Sequence, residues 1–125
     1  GKNSRLRMAE QAFKKAKAAG VQFVFGSGAT SADVPHGKQA DQFAYFIKWG
    51  MTTREALLMP FLPTARMLNY DWINQIGSLE KGKYADVIAV SGDPLTDVSE
   101  MQRVRFVMKG GYVVKNEPLL TRTTR

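Results

Sequence analysis

The segment VFGSGATSADVPHG, residues 24–37, gathers the residues best placed to do chemistry. It follows an apolar run, sets Gly26 and Gly28 around Ser27, carries Asp33, and ends on His36, the one histidine of the chain. Ser27, Asp33 and His36 are therefore the candidate substrate-loop residues. Each is limited taken alone. A single histidine cannot hold zinc, which takes three or four protein ligands, and there is no cysteine to supply thiolates. No metal ligand is expected in the chain. Asp33 is one loop carboxylate, and a general base has to be held to better than about 1 Å, so it reads as a solvated loop acid. His36 is expected to order the loop ahead of the next helix. The GSG run hints at a phosphate cradle, but the third glycine position of G-x-G-x-x-G falls on Ser31, which argues against dinucleotide binding. Further on, Lys83 and Asp86 in GKYAD read as a turn into a strand. Asp86 is expected to accept from backbone amides or to pair with Lys83.

These residues need elements to position them. SRLRMAEQAFKKAKAA, residues 4–19, places Leu6, Ala9, Ala12, Phe13, Ala16 and Ala19 near helical spacing with cations between them. Ser4 is the expected N-cap and Gly20 the residue just past the end. VQFVF, residues 21–25, is β-branched and aromatic and flanked by Gly20 and Gly26, the composition of a buried strand. Helix, glycine, short apolar strand is the αβ step of a parallel α/β fold, and loops after such strands are where ligands bind.

Residues 38–49 read as a second helix with a stripe of Ala40, Phe43, Ala44 and Ile47, widened by Phe46 and Trp49 and ended by Gly50. Thr52 and Glu55 in MTTREALLM have capping-box spacing. Pro60 and Pro63 force a kink or a restart before residues 64–69. Beyond residue 76 the character changes. Residues 85–90 read as a strand, SGDP at 91–94 as a turn, and VRFVMKGGYVVKN at 104–116 as a hairpin turning on Gly110-Gly111. Alternation of Val104, Phe106 and Met108 with Arg105, Val107 and Lys109 suggests a half-buried strand. Tyr45, Phe46, Trp49, Phe61 and Trp72 read as core or interface residues.

The 125 residues carry a net charge of +7 and have a pI of about 9.9. Much of the excess lies in Lys2, Arg5, Arg7, Lys14, Lys15 and Lys17, set against Glu10 alone. This reads as a solvated helix face. Nucleic-acid binding is not expected, because the strands lack interleaved aromatic and basic residues. No apolar run reaches the roughly 20 residues that span a bilayer, so no membrane partner is expected. The first ten residues contain no apolar signal-peptide core, and the compartment stays open.

Each half of the chain reads as incomplete, since one parallel strand makes no sheet and three β segments make a thin sandwich. Four segments explain this by resemblance. AAGVQFVFGSGATSADVPHG, WGMTTREALLMPFLPTARMLN, IGSLEKGKYADVIAVSGDPLTDV and VRFVMKGGYVVKN resemble, in order and spacing, the C-terminal third of metal-dependent amidohydrolases. The branch is similar to imidazolonepropionases and Xaa-Pro dipeptidases (prolidases).

The resemblance implies an α/β fragment: the last strand and helices of a (β/α)8 barrel over 1–76, antiparallel strands of the flanking β-sandwich over 77–118, and a flexible tail over 119–125. A whole barrel takes roughly 250 residues. It also implies a parent hydrolase that attacks a C–N bond of a peptide-like or cyclic amide with water activated by zinc or another divalent metal. The family's metal-binding, proton-accepting Asp corresponds to Gly28, and its other ligands belong upstream of these residues. No catalytic group is then intact, no cofactor is expected for this chain, and it is expected to be inactive alone. Its expected partners are the missing N-terminal portion of the barrel or further copies of itself, and the alternative function is an oligomeric interaction module without catalysis.

Overall fold

The computed structural model describes residues 1–29, 35–68 and 74–118. Helix α1, Lys2–Ala18, begins two residues earlier than its periodicity suggests, with Gly1 rather than Ser4 at the N-cap. It ends as expected. Gly20, at φ 74°, donates its amide to the Lys17 carbonyl (3.0 Å), and Val21 donates to Ala16 (3.1 Å). This is the paired closure that a left-handed glycine permits.

Residues 21–29 form no strand. This corrects the reading of VQFVF as one. A strand exists by pairing, and among the described residues no neighbour offers a ladder to this segment. It is held through its aromatic side chains instead. The Phe23 ring lies 4.5 Å from that of Phe13 and the Phe25 ring 5.3 Å from that of Phe43.

The second helical stretch is a 3-10 turn, Gln39–Asp41, followed by α2, Gln42–Lys48, rather than one helix from 38 to 49. Gly50, at φ 109°, closes it in the same manner as Gly20, with Gly50 donating to Ile47 and Met51 to Phe46, both at 3.0 Å. Helix α3, Thr53–Leu58, has the expected capping box. Thr52 Oγ1 accepts from the Glu55 amide at 3.1 Å, and Glu55 Oε2 accepts from the Thr52 amide at 2.7 Å. Helix α4, Leu62–Leu68, restarts at Leu62, ahead of the expected Thr64, because Pro63 sits in its first turn, where a missing amide costs nothing.

The core lies between these helices. Phe13, Phe43, Met51, Ala56, Leu57 and Met59 are buried together, with Phe46 and Trp49 half-buried against them. Tyr45 and Phe61 are exposed, and Trp72 lies outside the described residues. A second 3-10 helix, Val98–Gln102, brings Val98 and Met101 to the same cluster.

Strands β1 (Val87–Val90), β2 (Val104–Lys109) and β3 (Tyr112–Asn116) form an antiparallel sheet in that order. The hairpin turns on Gly110-Gly111, as its sequence indicates. Two irregularities bend the ladder, between Ala89 and Val90 and between Val107 and Met108. No strand residue is buried, and β2 is evenly half-buried where alternation was expected. A sheet covered firmly on one face would show alternation. The chain as a whole exposes 9665 Å², against about 6,700 Å² for a compact monomer of its 13.9 kDa mass.

Candidate functional site

The loop after the apolar segment 21–25 is anchored from two sides. The Phe25 amide donates to Thr64 Oγ1 at 3.1 Å, and Thr64 Oγ1 donates in turn to the Met59 carbonyl at 2.7 Å. One hydroxyl thus ties residue 25 to the break between α3 and α4. Two residues on, the Ser27 carbonyl accepts from Gln42 Nε2 at 3.5 Å, which links the loop to the start of α2. Ser27 is half-buried and Gly28 exposed. Gly28 sits at φ +57° with nothing within 4 Å of where a Cβ would stand. The position therefore has room for a side chain and a backbone that resists one.

His36 is exposed, in a turn that precedes the 3-10 segment. That turn is closed by Lys38 donating to the Pro35 carbonyl at 3.4 Å and Gly37 donating to Gln39 Oε1 at 2.8 Å. Asp33 lies outside the described residues. Of the three candidate loop residues, Ser27 and His36 thus flank a segment whose ends return to the same 3-10 turn and α2. Thr64, Gln42 and Gln39 hold this geometry, and sequence reading did not single them out. A polar residue inside the apolar stretch FLPTARML is the one available signal, and it points to Thr64 alone.

Beside this loop a cleft of about 630 Å³ separates the helices from the sheet, walled by Phe25, Phe43, Phe61, Ile88 and Val107. Its charged rim is internally satisfied. Glu117 pairs with Lys115 (3.1 Å) and with Arg105 (3.2 Å), Lys115 also donates to the Val104 carbonyl (2.7 Å), and Arg105 reaches Ser91 Oγ (3.3 Å). The Lys115 ammonium and the Arg105 guanidinium hold the Glu117 carboxyl below its ordinary value. Such a carboxylate is a structural anchor, because a useful base needs an affinity for protons closer to neutral pH.

Of the two expectations for Asp86, acceptance from a backbone amide holds, while the pairing with Lys83 does not. Asp86 Oδ1 accepts from the Gly110 amide at 2.7 Å, and Oδ2 pairs with Lys109 Nζ. Lys83 instead donates to Ser78 Oγ at 2.5 Å and pairs with Glu80 at 3.6 Å. Asp86 therefore pins the entry of β1 to the β2–β3 turn, 24 residues away. The Lys109 ammonium, then the Gly110 amide, hold its carboxyl below the ordinary value.

A divalent metal needs several converging donors. Among the described residues no three histidines, cysteines or carboxylates come together, and Gly28 has no donor side chain. These residues do not fit a metal centre.

Comparison with solved structures defines the class. The chain superimposes on a Xaa-Pro dipeptidase with methionine bound in its active site, at 35% identity and a TM-score of 0.75 over 86% of this chain and 25% of that one. It also superimposes on the A. niger ochratoxinase, at 29% identity and a TM-score of 0.70 over 86% and 24% of the two chains. Molinate hydrolase shares the fold at 24% identity and a TM-score of 0.73, over 92% of this chain and 29% of that one. A Xaa-Pro dipeptidase and a prolidase are thus among the solved structures that the chain resembles. The chain belongs to the amidohydrolase family, whose model matches residues 2–114. It spans about a quarter of the length of the solved structures it matches. No curated protein matches it.

Proposed function

We propose that these residues are the C-terminal part of an amidohydrolase. Residues 1–76 would contribute the last strand segment and helices of its barrel and 77–118 would contribute strands of its flanking sandwich, with 119–125, outside the described residues, as a tail. The parent hydrolyses a C–N bond in a peptide-like or cyclic amide with metal-activated water. The chain alone holds the frame of the site without its reacting groups and does not turn over substrate. The observation that carries this reading is Gly28. By resemblance it stands at the family's Asp position, and it occupies a left-handed conformation that suits glycine. Residues 21–25 support the same reading, since they have the composition of a buried strand but join no strand ladder among the described residues, and in a barrel such a segment would lie between two neighbouring strands.

Metal analysis of the purified chain, with a panel of Xaa-Pro dipeptides and cyclic amides, tests this. The expected result is substoichiometric zinc and hydrolysis at the rate of buffer. Stoichiometric zinc with turnover would overturn it. A second reading, an interaction module without catalysis, is favoured by the large exposed surface and by exposed Tyr112, Val113, Val114 and Ile88 on the sheet.

A further inference from the structure

The missing amide of Pro63 costs α4 nothing, but it leaves the end of α3 short of a donor. In a continuous α-helix the carbonyl of residue i accepts from the amide of residue i+4, so the Met59 carbonyl would take its bond from residue 63. That residue is proline, with no amide hydrogen to give. Thr64 Oγ1 supplies the donor instead, at 2.7 Å. A hydroxyl has a single hydrogen. With that hydrogen committed to Met59, the oxygen is left to accept, and it accepts from the Phe25 amide at 3.1 Å. Amide, hydroxyl and carbonyl form one chain of hydrogen bonds, in which each bond polarises the next. Both bonds are partly shielded from water. The other supports of the loop are slighter. Among the described residues the amides of Gln22 and Val24 make no hydrogen bond. Gln42 reaches the Ser27 carbonyl only at 3.5 Å, long for a hydrogen bond. Nothing lies within 4 Å of where a Gly28 Cβ would stand, so packing around that point does not fix the residue.

We propose that Thr64 is the positioning residue of the candidate site loop: its hydroxyl, oriented by the carbonyl that Pro63 leaves open, fixes where the chain departs from Phe25 and so where Ser27 and Gly28 stand. The inference rests on the reading of this loop as the frame of a site and names the side chain that sets the frame. Thr64 acts through the Phe25 backbone, three residues before Gly28, and supplies no reacting group. The chemistry of the hydroxyl is what the role requires. Serine keeps the one donor and the acceptor oxygen. Valine keeps the branched shape and loses both, which leaves the Phe25 amide and the Met59 carbonyl without this partner in a partly buried place, where an unmade bond is costly.

Residue-resolved amide hydrogen exchange by NMR on the full chain tests this. In the unmodified chain, after correction for intrinsic rates, the Phe25 amide should exchange about five- to tenfold more slowly than those of Gln22 and Val24, the protection that one hydrogen bond gives. Thr64→Val should bring Phe25 to the level of those two neighbours and move the Ser27 and Gly28 amide resonances, and Thr64→Ser should restore both. The amides of Met51 and Ala65, bonded to Phe46 and Phe61, serve as references for the core and should change less than Phe25. A Phe25 amide as fast as its neighbours in the unmodified chain overturns the proposal, whether or not the valine variant folds. So does a valine variant in which Met51, Ala65 and Phe25 all speed up by the same factor, since that marks a general loss of stability, or a serine variant that restores nothing. A fast Phe25 amide in a chain with neither zinc nor turnover would overturn this inference alone. Zinc with turnover would overturn the proposed function and leave the exchange result to stand by itself.

Discussion

Gly28→Ala and Gly28→Asp separate what the backbone at this position demands from the chemistry that the resemblance assigns to it. At φ +57° the residue is in the left-handed region, and no atom lies within 4 Å of an added Cβ. The cost is therefore conformational and not steric. An L-residue held there loses about 1–2 kcal/mol. Replacing glycine also restricts the unfolded chain, which returns about 0.4–1 kcal/mol. Gly28→Ala should destabilise by about 0.5–1 kcal/mol, which for a domain of this size lowers Tm by about 2–4 °C. Aspartate visits the left-handed region more readily than alanine, so Gly28→Asp should lose less, about 1–2 °C. Calorimetry at pH 7 reads both. Zinc titration and the substrate panel, run on Gly28→Asp, should show neither stoichiometric binding nor hydrolysis, because one carboxylate does not make a metal site. An alanine variant as stable as the parent would refute the backbone argument. Hydrolysis by Gly28→Asp would refute the reading of this chain as a site frame without its ligands.

Three further outcomes are expected. Thr52→Ala removes the acceptor of the Glu55 amide and should cost about 1 kcal/mol by urea denaturation. Combined with Glu55→Ala it should cost less than the sum, because the two bonds are reciprocal; strict additivity would argue against the box. Phe13 is the one buried side chain described on α1 and touches the rings of Phe23, Phe46 and Trp49. Phe13→Ala should cost about 3–5 kcal/mol and raise protease cleavage within α1; a loss near that of a surface change would place the core elsewhere. Asp86 has its folded pKa lowered by Lys109 and Gly110. Its contribution is present above the ordinary carboxylate value and is lost as pH falls through the folded one. The urea midpoint should hold from neutral pH to about 5 and drop below that, and Asp86→Asn should lower it at pH 7 while shrinking the acid-induced drop. An unchanged pH profile in that variant would refute the assignment.

The features legible in the chain were those made by neighbours in sequence. The Thr52–Glu55 box, the glycine closures after α1 and α2, and the Gly110-Gly111 hairpin each involve groups within a few residues of one another, so residue type and spacing suffice to read them. The strand expected at residues 21–25 failed for the opposite reason. Its apolar, β-branched composition is real, but a ladder needs a second strand. Asp86 is similar: its chemistry as an acceptor was readable, while the choice of Lys109 and Gly110 over Lys83 depended on where the hairpin brings its turn. Ser4 had the side chain of an N-cap, but the helix already had room to begin at Lys2.

The candidate site divides along the same line. Sequence alone determined that the loop at residues 24–37 follows an apolar segment, that Gly28 has no side chain to offer at the position the resemblance assigns to a carboxylate, and that one histidine and no cysteine leave few metal ligands to offer. Those are statements of composition and order, and folding does not alter them. Only the tertiary structure decided that Thr64 and Gln42 hold the loop, that Gly28 lies in a glycine-favouring conformation with open space beside it, and that Asp86 is bonded to the β2–β3 turn. Each of these depends on groups far apart in the chain, such as Phe25 and Thr64 at a separation of 39 residues. Packing brings such groups together, and local sequence preference carries no information about which of them will meet.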